Sequence, residues 1–79
     1  MARIRSVTEA PKHRIRWTTE SDCGWFVGEV AGTRILHLET YGSDDRAVPG
    51  TRSQQLDFDE TTAAALVTVI RKAFPQLFA

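Results

Sequence analysis

Few side chains in this sequence carry acid–base, nucleophilic or metal chemistry, and their spacing does not match a catalytic site. The only cysteine, Cys23, and the two histidines, His13 and His37, show none of the CxxC, HxxxH or HxH spacings that hold two metal ligands together. The adjacent Asp44 and Asp45 lack the further oxygen ligands of a cation-binding loop. No glycine-rich loop precedes a helix in the phosphate-binding pattern. We therefore expect a protein that is not an enzyme and has no metal or cofactor.

The distribution of charge is more informative than the catalytic residue types. The 79 residues contain 10 basic and 10 acidic side chains, so the formal net charge is zero. Residues 1–16 nevertheless hold five basic and one acidic residue, a net charge of +4, whereas residues 17–79 hold five basic and nine acidic residues, a net charge of −4. A basic arm on an acidic body is typical of proteins that bind an anion at one end. The alternative is a solvated terminus that only aids solubility.

The length of the chain restricts the fold to one small domain. No stretch approaches the roughly 20 apolar residues of a membrane span, and the N-terminus has no apolar segment of a secretory signal. A single cysteine cannot form an internal disulfide, which favours a reducing compartment such as the cytoplasm. A domain this small has a thin core and leaves Phe74, Leu77 and Phe78 poorly covered, so we expect a homodimer.

Hydrophobic periodicity predicts four strands followed by a helix. Residues 1–12 show no apolar period and are expected to form a flexible basic leader, and residues 13–79 a single β4α domain. The predicted strands are 13–19, 25–30, 34–41 and 52–58, with a hairpin turn at 31–33. The expected fold is α+β: a four-stranded antiparallel sheet followed by one C-terminal helix, in the order β-β-β-β-α.

The predicted helix has clear start and stop signals. Asp59 is a good N-cap, and Pro75 ends the helix at about Phe74. Leu66, Ile70 and Phe74 recur at a helical spacing and form an apolar stripe. We expect this stripe to cover the apolar side of the sheet, so that the other side is left for a partner.

The polar side of the predicted sheet combines basic and aromatic residues. Cations follow phosphates and rings stack on bases, so this combination suits single-stranded nucleic acid. The candidate rings are those of Trp17, Trp25, Phe26 and Tyr41, although tryptophan in a small domain is more often part of the core. Tyr41 is the preferred candidate because it shares the polar series of the third strand with His37 and Glu39. The predicted nucleic-acid-binding residues are Arg14, Arg16, Arg34, Tyr41, Arg46 and Arg52.

The second half of the chain resembles the positive-cofactor-four family of transcriptional coactivators. The resemblance covers residues 34–74: 35–41 (ILHLETY) is similar to the third strand of that family, 48–52 (VPGTR) to the exit of its long loop, and 54–59 to its last strand and helix cap. Proteins of this family are dimers that bind single-stranded DNA across the sheet. The resemblance implies that Arg52 contacts DNA and that Tyr41 lies at the end of the binding strand. The present chain differs in having Glu39 where the family tends to have a basic residue.

Two functions remain open from the sequence. The first is a small, dimeric nucleic-acid-binding protein that prefers single-stranded DNA, or RNA, in a transcription- or DNA-associated role. The second is a protein-interaction or dimerisation module with no nucleic-acid role. The basic residues of the arm favour the first function, whereas the zero net charge and the acidic body favour the second.

Overall fold

The computed structural model describes residues 2–16, 20–41 and 54–78. These residues form an α+β fold in which four strands precede one α-helix, which confirms the predicted order. The helix is followed by a short 3₁₀ helix, Pro75–Phe78. The elements are β1 (Ala2–Arg3), β2 (Cys23–Val30), β3 (Thr33–Thr40), β4 (Gln54–Phe58) and α1 (Glu60–Ala73).

The four strands form one mixed sheet in the order β1-β4-β3-β2. β2 and β3 are antiparallel, as are β3 and β4, whereas β1 runs parallel to β4. The prediction of a wholly antiparallel sheet is therefore wrong at one strand. A parallel neighbour requires a long connection, and residues 4–53, which include the β2–β3 hairpin, separate β1 from β4. Because β1 occupies the far side of β4, β2 is left at the opposite edge of the sheet.

The first strand is also not where the sequence predicted it. Residues 13–16 of the predicted strand 13–19 belong to no strand, and 17–19 lie outside the described residues. The strand is formed instead by Ala2 and Arg3, inside the predicted leader, and the next residue, Ile4, donates its backbone N–H to the carbonyl of Asp57 at 2.8 Å. A strand of two residues is too short to show a hydrophobic period, so local patterning could not detect it.

The hairpin between β2 and β3 is tight, as predicted. Its two central residues, Ala31 and Gly32, have φ angles of 49° and 81°. Positive φ at both positions is the conformation of a type I′ turn, whose twist matches that of the flanking strands. Val30 and Thr33 consequently face each other as the first pair of the ladder.

The start of α1 also agrees with the sequence. The Asp59 carboxylate accepts a hydrogen bond from the Thr62 backbone N–H at 2.9 Å, and the Thr62 hydroxyl oxygen accepts one from the Asp59 backbone N–H at 3.1 Å. These two bonds form a reciprocal capping box. The hydrogen bonds from Thr62 lower the pKa of Asp59 below its ordinary value. The cap fixes where the helix leaves β4, and with it which part of the sheet the helix can cover.

The helix packs against one face of the sheet, which we call the helix face; the other is the polar face. Val27, Leu36 and Phe58 share the helix face by strand register and, with Ala63, line a groove at the start of α1. Phe58 is 5% exposed and is the one buried apolar side chain among the described residues. The core is therefore thin, and most large apolar side chains remain partly in solvent.

Candidate functional site

The polar face carries a cluster of ionisable side chains at its centre. Strand register places His37 directly opposite Asp57 on β4, and Glu39 lies two residues farther along β3. Residues at this spacing point to the same face of a strand. Although histidine is usually at least partly exposed, His37 is only 7% exposed.

Both ring nitrogens of His37 contact a carboxylate. Nδ1 lies 2.6 Å from Oδ1 of Asp57, and Nε2 lies 2.8 Å from Oε1 of Glu39. Because ionised carboxylates only accept hydrogen bonds, this geometry requires both nitrogens to donate, which only the imidazolium form can do. The hydrogen bonds to Asp57 and then to Glu39 raise the pKa of His37 above its ordinary value of 6.5. The ring of Phe26 covers the imidazole, with ring centroids 4.5 Å apart.

This arrangement is suited to holding the sheet together and not to acid–base catalysis or metal binding. With both nitrogens engaged, His37 has no free lone pair for a proton transfer or a metal ion. The two carboxylates lie against opposite sides of the ring, so they do not converge on a common point. No group of three or more potential ligands in the described ranges could hold a metal ion. One imidazolium and two carboxylates leave the cluster with a net charge of −1.

Tyr41, the preferred stacking candidate, is held against the polar face. Its ring lies beside Gly24, where a Cβ atom would collide with the tyrosine hydroxyl and lie 3.1 Å from Cζ. A hydrogen bond from the hydroxyl to Glu39 raises the pKa of Tyr41. The backbone N–H of Tyr41 donates to Oγ of Ser21 at 3.1 Å. Tyr41 is therefore half-buried and is tied to the acidic cluster at its hydroxyl end.

The structure does not collect the predicted basic residues on the polar face. Arg14 and Arg16 are exposed and lie outside the strands. Arg34 pairs across the hairpin with Glu29, on the helix face and thus on the side opposite Tyr41. Arg46 and Arg52 lie outside the described residues, so their roles stay predictions. The polar face that the structure describes is acidic at its centre.

The largest unexpected feature is the apolar character of β2. Four large apolar side chains of this edge strand are at least half exposed: Trp25, Phe26, Val27 and Val30. Trp25 is 69% exposed, although its residue type favoured a place in the core. The 3₁₀ helix adds exposed Leu77 and Phe78 beyond α1. The sequence showed an apolar strand but not that it would lie at an edge.

The pairing of His37 with Asp57 was also missed from the sequence. His37 occupies a polar position of its predicted strand, and Asp57 alternates with the apolar Leu56 and Phe58 in the next one, but the sequence does not give the register between the two strands. That register depends on how β3 connects to β4, and the length of the connection does not specify it. Knowledge of one pair, such as Leu36 opposite Phe58, would have revealed the cluster.

Comparisons with protein-family models, curated proteins and solved structures found no match to this chain. None of the helices in the described part of the chain has the length and apolar character needed to cross a membrane.

Proposed function

We propose that this chain is a protein-interaction module whose apolar surface is covered by another protein chain. The observation that carries the proposal is the exposure of Trp25, at 69%, in the middle of an apolar edge strand. Trp25 shares the helix face with Val27, which is also more than half exposed, and exposed apolar patches on monomeric proteins mark interaction sites. Large aromatic side chains are also enriched among the residues that dominate binding energy at interfaces.

The thinness of the core supports the same function. Phe58 is buried, whereas Phe26, Phe74 and Phe78 are each more than half exposed. Full burial of such a side chain contributes about 1.5–3 kcal/mol, so a partner that covers several of them supplies stability that the chain lacks alone. A homodimer, expected from the sequence, is one way to provide that cover.

Site-specific photo-crosslinking tests this proposal. A benzophenone amino acid replaces Trp25 in one variant and Thr68, an exposed polar position of α1, in a matched control. We expect irradiation of cells that produce the protein to give discrete protein adducts from position 25 and not from position 68. No protein adduct at position 25, or equal adducts at both positions, would refute the interaction module.

Single-stranded nucleic acid is a second candidate ligand, supported by the exposed basic side chains of the N-terminal segment. The segment holds exposed Arg3, Arg5, Lys12, Arg14 and Arg16. Because the centre of the polar face is acidic, this segment is the better binding surface among the described residues. Neutralising four or five phosphates would give a slope of log affinity against log salt of roughly −3.

Fluorescence anisotropy with a labelled single-stranded oligonucleotide tests the second candidate. Replacing Lys12, Arg14 and Arg16 by serine should flatten the salt slope by about 2 units, from about 0.7 for each phosphate contact. Lys72→Ser, which removes an exposed cation in the last turn of α1, is the matched control and should leave the slope nearly unchanged. The absence of salt-sensitive binding by the intact chain would eliminate this candidate and leave the interaction module alone.

A further inference from the structure

The outer edge of β2 presents backbone hydrogen-bonding groups in a defined pattern. In a two-residue hairpin the flanking residues, Val30 and Thr33, exchange both backbone hydrogen bonds, and bonded pairs then alternate along the ladder. The even-numbered residues of β2 therefore bond to β3, and the odd-numbered residues direct their N–H and C=O groups away from the sheet. The bond from Ile4 to the carbonyl of Asp57 fits the same alternation on the far side of the sheet.

The outward-facing edge lacks the features that usually prevent edge pairing. β2 has eight residues, contains no proline, and carries one charged side chain, Glu29. Natural edges are commonly protected by shortness, by charge or by proline. The other edge of this sheet has such protection, because β1 is two residues long and includes Arg3. The contrast singles out β2 as the edge available for another strand.

We propose that the partner of this edge is a second copy of the chain, whose β2 pairs antiparallel with the first about a two-fold axis at Phe26. This inference rests on the proposed interaction module and names its partner. Residues 23, 25, 27 and 29 of each copy then exchange backbone hydrogen bonds across the axis, with Trp25 opposite the partner's Val27. Phe26 meets the partner's Phe26 in the closer, non-hydrogen-bonded type of pair.

The side chains favour this register over the one with its axis at Val27. Aromatic pairs and pairs of an aromatic with a β-branched residue are the cross-strand contacts that stabilise antiparallel sheets. Moving the axis to Val27 would place Trp25 opposite the partner's Glu29 and would lose both kinds of pair. With the axis at Phe26, the two copies of Glu29 lie about 20 Å apart along the strands, from six residues at about 3.4 Å each, and do not repel closely.

The dimer also explains why Trp25 is exposed on the helix face. Edge pairing about a two-fold axis perpendicular to the sheet gives one continuous eight-stranded sheet with both copies of α1 on the same side. Trp25 and Val27 of each copy then meet on that side, between the two helices. The most exposed aromatic side chain of β2 would thus become part of a shared core.

Disulfide trapping tests the register directly. In the Cys23→Ser background, Phe26→Cys places a thiol opposite the same thiol of the second copy. The two Cα atoms are then about 4.5 Å apart, a separation that a disulfide can span. Under mild oxidation we expect this variant to form a covalent dimer rapidly. There are two matched controls: the parent chain with its native Cys23, and Glu29→Cys in the Cys23→Ser background. Both positions are exposed on β2, and in this register each lies about 20 Å from the same position of the second copy. Crosslinking at a control position, or at Val27→Cys and not at Phe26→Cys, would overturn the proposal.

Analytical ultracentrifugation of the purified chain provides the second measurement. We expect a dimer at micromolar concentration, and we expect Val27→Pro to be a monomer because it removes an outward N–H that β3 does not use. Val27→Ala is the control for the lost side chain and should remain dimeric, and circular dichroism should show that both variants are folded. A monomeric native chain would refute the pairing of two copies, whereas the interaction module would survive if position 25 still crosslinked to a different protein.

Discussion

Truncating Phe58 should be the most damaging single change to the fold. Phe58 is the last residue of β4, and its side chain is 5% exposed. Phe→Ala changes at buried positions cost about 3–5 kcal/mol. Because Phe58 also lines the groove beside Val27 and Ala63, its loss would open a site that water can enter instead of a closed cavity. We therefore expect a loss near the lower limit, about 3 kcal/mol.

This loss is large compared with the stability of so small a domain. At about 0.05–0.15 kcal/mol per residue, the chain has roughly 4–12 kcal/mol in total. Each kcal/mol shifts the midpoint of thermal unfolding by about 4–8 °C in a domain of this size, so Phe58→Ala should lower it by roughly 12–24 °C.

The matched control is Phe74→Ala, at a position that is 61% exposed and should cost about 1 kcal/mol. Urea unfolding of both variants and the parent chain, at one protein concentration because oligomers shift the midpoint, measures the difference. Equal losses for Phe58→Ala and Phe74→Ala would refute the assignment of the core.

Three further variants test other parts of the structure. The stabilisation from protonated His37 is fully present below its unfolded-state pKa of about 6.5, and it should be lost as pH rises through the raised folded-state pKa. In urea unfolding across this pH range, His37→Gln should not show the loss of stability that the parent chain shows. Gly24→Ala should destabilise the hairpin because the added Cβ collides with the Tyr41 hydroxyl, whereas Gly28→Ala, where the nearest atom is 3.7 Å away, should be tolerated. Thermal unfolding monitored by circular dichroism compares the two variants, and equal losses of stability would contradict the placement of Tyr41. Leu66→Ala should cost about 2 kcal/mol in urea unfolding because Leu66 is half-buried on α1, and a loss below about 0.5 kcal/mol would contradict the packing of the helix on the sheet.

The parts of the fold that were predicted correctly depend on local chemistry. Asp59 caps the helix, and Gly32 supplies a positive φ in the hairpin turn, which has two residues where the sequence predicted three. Each feature involves neighbours in the chain, so residue type and spacing suffice to predict it. The strand predicted at 13–19 is absent from residues 13–16, because an alternating pattern records amphipathicity and not the presence of a neighbouring strand.

The candidate sites depend on contacts between residues far apart in the chain. The polar alternation of β3 predicted that His37 and Glu39 share a face, but only the register with β4 placed Asp57 at 2.6 Å from the imidazole and gave the polar face an acidic centre. The apolar character of β2 was readable in its residues. Its position at an edge was decided by β1, which pairs with β4 on the other side of the sheet.

The sequence by itself thus determined the type and order of β2, β3, β4 and α1, the helix cap, the hairpin and the alternation of β3 and β4, because these follow from backbone preferences and side-chain periods over a few residues. The tertiary structure decided which strands are neighbours, which face the helix covers and which apolar side chains remain in solvent. Those outcomes depend on strand order and register, which arise from the free energy of packing the whole chain and leave no local pattern in the sequence.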